Sequence, residues 1–192
     1  YAELRGKSWF YMELPHLDAY LLHIKTLLQK AGPEYTTSFE SYLATVPFLH
    51  TDNSSTVDSH VKRIWIETAQ NEEINDENPS YIPSNCRLLT KKKSLTLHQV
   101  VVRQEFVDKD NELSQIEYSY DAALIDKIGD KDLQISMLVV HEWLWDFYKA
   151  KDSRLLRQAN RLLHSVGSKS YSPQRIKDLL GQKPPAKKGK RP

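Results

Sequence analysis

His141-Glu142-Trp143-Leu144-Trp145 opens like the zinc-peptidase helix motif His-Glu-x-x-His and then places tryptophan where the second histidine would stand. In a working motif of that kind the two histidines share one helical face and hold the metal, with the intervening Glu as general base. An indole cannot replace the second ligand, so the stretch marks a site without supplying its chemistry. A catalytic reading rests on Glu142 and His141, acting as acid and base or through a metal. A metal needs three protein ligands, and the nearby supply is His141, His164 on the following helix, and an acid such as Asp146 or Asp152. His164 shares a stripe with Arg157 and Arg161, which predicts an exposed position. The structural alternative has the imidazole bonded to a backbone carbonyl or an acid, with Glu142 paired to Arg157.

Other constellations are weaker. Ser153 with His141 and an aspartate would make up a triad, but Asp152-Ser153 reads as a helix cap, which already accounts for both. Cys86 is the single cysteine, so no intrachain disulfide forms. His16, His23, His50, His60 and His98 lack metal-ligand spacing. Six glycines in 192 residues include no phosphate-binding loop.

The elements that must carry the pair follow from periodicity. Leu17, Tyr20, Leu21, Ile24, Leu27, Leu28 and Ala31 recur at helical spacing and predict an amphipathic helix over about 16–31, ended by Gly32-Pro33. A further short helix is suggested around 39–43. Alternation over 61–67 predicts a strand, and the acidic stretch 71–84 a surface loop. Residues 97–106 and 113–120, joined by Asp108-Lys109-Asp110-Asn111, predict a β-hairpin. Asp130 offers an N-cap to a largely apolar central helix over about 131–149, and a second helix over about 154–166 follows. Ser172-Pro173 starts a last short helix ending at Gly181. The expected fold is α+β, a small antiparallel sheet covered by the central helix and its successor, in a single globular domain over 1–181.

Composition is that of a globular chain, 40% hydrophobic and 27% charged. No apolar run approaches the roughly 18–20 residues a membrane helix needs. Residues 182–192 hold five of the 27 bases and no acid, leaving 22 bases against 25 acids elsewhere. Such a segment is expected to be a disordered basic tail able to contact an anionic surface. The body has no basic stripe with interleaved aromatics, which argues against nucleic acid. A start at Tyr1 rather than Met suggests a processed chain whose signal peptide has been removed.

The sequence resembles a group of uncharacterised exported proteobacterial proteins over about 81–165. The shared pattern is Pro83 and Cys86, then Gln99 with Val100 and Val101, then His141 and Glu142, then Asp152 and Ser153 with Leu156 and Arg157, and finally Leu163 and Ser165. Trp143 and Trp145 stand where the pattern carries Ala and Tyr. The resemblance implies export, to the periplasm or beyond, and fold more than it implies function. Arg157, Asp152 and Ser153 are the candidate binding residues beside the His-Glu pair. Together these readings predict a non-catalytic binding or assembly component with a protein or cell-envelope partner and no cofactor. The alternative is a metal-dependent hydrolase acting on peptide or cell-wall material through His141 and Glu142, with zinc as the candidate metal.

Overall fold

The computed structural model describes residues 10–49, 61–68, 100–109, 113–128, 130–147 and 153–181. Three expectations fall outside them: the acidic loop with Pro83 and Cys86, Asp152, and the basic tail. The chain groups into two compact units, one comprising Tyr1–Ser8 and Ser41–Lys131, the other Trp9–Glu40 and Asp132–Pro192.

The first unit carries a three-stranded sheet of strands β1 (Lys62–Glu67), β2 (Val101–Val107) and β3 (Leu113–Tyr120), ordered β1-β3-β2. The fold is α+β with a small sheet, as the periodicity predicts. β2 and β3 form the expected antiparallel hairpin, but β1 runs parallel to β3. The sheet is therefore mixed, a correction to the all-antiparallel expectation. A tight turn dictates antiparallel pairing only between strands it joins; β1 reaches the sheet through a long connection that leaves its direction open.

Register places Trp65 beside Tyr118 and Glu67 beside Tyr120, with Arg103 and Val101 on the other flank of β3. Alternation along β3 buries Ile116, Tyr118 and Tyr120 on this face. Trp65 stacks on Tyr118 with ring centroids 4.3 Å apart and planes 13° apart, and Phe48 and Tyr42 meet the same pair edge-on or tilted. Phe48 belongs to a short 3₁₀ turn, Pro47–Leu49. After β3, Asp121 accepts a hydrogen bond from the Leu124 backbone N–H at 3.0 Å and caps a five-residue helix, α3 (Ala122–Asp126). Sequence periodicity does not predict it, because five residues are too few to show a period.

The second unit is helical. α1 (Leu17–Ala31) buries Tyr20, Leu21, Ile24, Leu27, Leu28 and Ala31, the predicted stripe, and is capped by His16, whose Nδ1 accepts from Ala19 N–H. α2 (Pro33–Leu43), whose last three residues group with the first unit, starts at a proline, whose missing N–H is no loss in a first turn. The predicted helix around 39–43 is thus the end of a longer one, and Gly32-Pro33 separates two helices. α4 (Lys131–Leu144) is apolar around most of its circumference and is buried almost throughout. It ends at Leu144 and continues as a turn over 145–147, short of the expected 149. Asp130 precedes it with φ 53°, a left-handed conformation in place of the extended one usual for a capping residue. α5 (Ser153–Leu163) buries Leu156, Ala159, Asn160 and Leu163, followed by a 3₁₀ turn, Val166–Ser170. α6 (Pro173–Gly181) turns Ile176, Leu179 and Leu180 inward and packs along α1; the Ser172 hydroxyl accepts from Arg175 N–H at its start.

Candidate functional site

His141 and Glu142 lie in the last turn of α4, inside the helical unit. Their neighbour Trp143 fixes that end of the helix: fully buried, it packs edge-on against Phe39 and Phe147 at 5.0 and 4.8 Å between centroids. Its indole N–H donates to the Ser38 hydroxyl at 3.2 Å. Successive helical positions point about 100° apart, so anchoring Trp143 against α2 sets where His141 and Glu142 must face. Glu142 is buried, at 6% exposure. Part of His141 reaches solvent, but its Nδ1 is buried, and its ring sits 6.2 Å from that of Trp145. Burial lowers the His141 pKa to about 4, and the Arg157 guanidinium across on α5 adds to the effect.

His164 is fully buried, contrary to the exposure expected from its stripe. Its Nδ1 lies 2.9 Å from the Asn160 carbonyl oxygen, which can only accept, so Nδ1 carries the proton. Nε2 is then the acceptor, and the Ser136 hydroxyl donates to it at 2.9 Å. Both nitrogens are thus committed within the protein, and the ring has none to give a metal. Burial lowers its pKa to about 4, against the Asn160 bond, which raises it; His23 lowers it further.

α4 and α5 run antiparallel, since Ser136 meets His164, Met137 O accepts from Asn160 Nδ2 at 2.8 Å, and Arg157 acts on His141. His164 is therefore drawn to a point five residues, or about 7.5 Å of helix rise, before His141. The group brought to His141 is a guanidinium. A cation acting on a ring opposes a metal ion there by repulsion. The structure so keeps apart His141 and His164, paired in the metal reading, while the charge of Arg157 acts on His141. Asp146 lies in the turn after α4, and Ser153 opens α5. Among the described residues no group of three His, Cys, Asp or Glu is placed to hold a metal.

Periodicity overlooks a second polar cluster. His23 Nε2 donates to the Leu163 carbonyl at 3.3 Å and the Ser168 hydroxyl at 2.9 Å, and Ser168 in turn donates to Ser165 O at 2.7 Å. Burial lowers the His23 pKa, the bond to Leu163 opposes this, and Lys169 and Lys30 lower it further. The local signal was Asn160 and His164 at i, i+4 on one helix face. His23 is some 140 residues from its partners, beyond any sequence spacing rule.

Acid should therefore destabilise the fold. His141 and His164 titrate near 6.5 when unfolded and near 4 when folded, so the unfolded state binds more protons between these values. Their neutral forms are fully compatible with the fold above pH 6.5, and stability is lost as pH falls from 6.5 towards 4 by roughly 3 kcal/mol for each ring. Urea unfolding at pH 7 and pH 4.5 measures this. Equal midpoints at the two pH values would mean that neither ring is shielded as described.

An α+β protein whose central helix ends on a half-buried His141 and a buried Glu142 is the class that fold and site define. Comparison with protein families, with curated proteins and with solved structures returns no match. No helix of the described residues is long and apolar enough to cross a membrane.

Proposed function

We propose that this protein is a non-catalytic binding or assembly component of the bacterial envelope, exported to the periplasm or secreted, in which the His141-Glu142 helix is architectural. Its partner is a protein or cell-envelope structure, and the proposed envelope location rests on the pattern shared with exported proteobacterial proteins. The observation supporting a non-catalytic role is that both nitrogens of His164 are committed to Ser136 and Asn160, away from His141. A zinc hydrolase needs three neutral or anionic protein ligands converging on one point. Here the two histidines serve different parts of the α4–α5 seam.

The test is elemental analysis of the purified protein together with melting curves in zinc and in chelator. A ligand that binds only the folded state raises its melting temperature. The expected result is sub-stoichiometric zinc and a melting temperature that zinc leaves in place. One zinc per chain, lost in His141→Ala, would overturn the proposal in favour of a metal-dependent hydrolase. Glu142→Gln separates the readings further: an architectural carboxylate predicts a stability loss of about 1–3 kcal/mol.

A further inference from the structure

His23 and His164 sit at a junction where five parts of the helical unit are tied by hydrogen bonds. Residues 10–12 are held there as an extended segment: Met12 N–H donates to His164 O at 3.0 Å, Val166 N–H donates to Phe10 O at 3.0 Å, and Tyr11 bridges Ser165. The Tyr20 hydroxyl on α1 fastens the same segment by donating to Met12 O at 3.0 Å. His164 ties α5 to α4 through Ser136, and His23 ties α1 to the end of α5 and to the 3₁₀ turn through Leu163 and Ser168.

The charges around both rings have one sign. Lys30 on α1 and Lys169 on the 3₁₀ turn act on His23, and His23 acts on His164. α4 presents the uncharged Ser136, and its buried acid, Glu142, lies six residues further along, about 9 Å of helix rise. On α5, Asn160 is neutral, Arg161 donates to the Tyr11 hydroxyl at 3.2 Å, and Arg157 acts on His141. α6 turns only apolar side chains inward, with Arg175, Lys177 and Asp178 exposed. A proton arriving on either ring thus meets cations and neutral dipoles. On His164 it also converts Nε2 from acceptor to donor, so that the Ser136 hydroxyl must reverse.

We propose that this junction is an acid-operated latch: proton uptake by His23 and His164 releases residues 10–12 and the following 3₁₀ turn from the helices before α4 and the rest of the unit unfold. Opening gives the rings water, the one solvent in which their charge costs little. With His164 titrating near 4 closed and near 6.5 open, the open fraction rises about 30-fold between pH 7.5 and pH 5 from that ring alone.

Hydrogen–deuterium exchange of the full chain at pH 7.5 and pH 5, corrected for intrinsic exchange rates, tests this. The Met12 and Val166 amides are expected to lose protection about 30-fold and to stay less protected at pH 5 than Leu138, Val139 and Val140 in α4, which open only with global unfolding. The double variant His23→Gln, His164→Gln retains a donor at the first site and an acceptor at the second, cannot titrate, and should hold its protection at both pH values. Met12 and Val166 amides no less protected at pH 5 than those of α4, or the same selective loss in the double variant, would overturn the latch. Should the double variant not fold, imidazole NMR on the wild type decides. Opening that follows the His164 titration supports the proposal, and protonated rings with Met12 and Val166 still protected refute it.

Discussion

Trp143→Ala is expected to lower the stability of the helical unit by roughly 3–5 kcal/mol. The ring is fully buried, touches Phe39 and Phe147 edge-on, and donates its N–H to Ser38. Truncation removes its transfer free energy, opens a cavity between α2 and α4, and strands the Ser38 hydroxyl. Trp145→Ala is the control. Trp145 is only half-buried, so its loss should cost less than that of Trp143 even though the two share a helix end. Thermal or urea unfolding of the two variants measures the difference. A Trp145 effect equal to or larger than the Trp143 effect would place the wrong indole in the core. It would also undo the argument that Trp143 sets the facing of His141 and Glu142.

Tyr118→Ala should cost a comparable amount, roughly 3–5 kcal/mol, in the unit that holds the sheet. Tyr118 is fully buried on the central strand, stacked on Trp65 and edge-on to Tyr42. Aromatic pairs of this kind add about 0.5–1.5 kcal/mol beyond area burial, so the substitution should also perturb near-ultraviolet circular dichroism from Trp65. Phe106→Ala, on an edge strand at 42% exposure, should change stability by about 1 kcal/mol or less. Since Tyr118 and Trp143 lie in different units, their effects on a single unfolding transition also report on cooperativity: two separated transitions would show the units melting apart.

Glu142 and His141 were visible from the motif alone, and so was the helix that carries them. Their neighbourhood was not. Arg157 could be named as a candidate partner from its position on the next amphipathic helix, but whether it meets Glu142 or His141 depends on how α5 is rotated and shifted against α4. A shift of one turn would have exchanged Arg157 for another residue opposite His141. His164 was misread because its stripe also carries two arginines. A stripe average assigns one environment to all its members, whereas the α4–α5 crossing buries His164 at Ser136 and leaves Arg157 and Arg161 partly in solvent.

The sequence by itself determined whatever depends on neighbours a few residues apart. Apolar recurrence every three to four residues specified α1, α4, α5 and α6, and alternation specified β1 and β3. The turn formers after β2 specified the antiparallel hairpin, and proline with a preceding serine specified the start of α6. Tertiary structure decided everything that joins distant positions. It made β1 parallel to β3 across a long connection, and it set Trp65 on Tyr118. It committed both nitrogens of His164, brought an arginine to His141, and joined His23 to Ser168 across 145 residues. The physical reason is that local periodicity fixes which face of an element is apolar, while register and crossing are fixed by the packing of whole faces, and a polar group finds its partner only after that packing is complete.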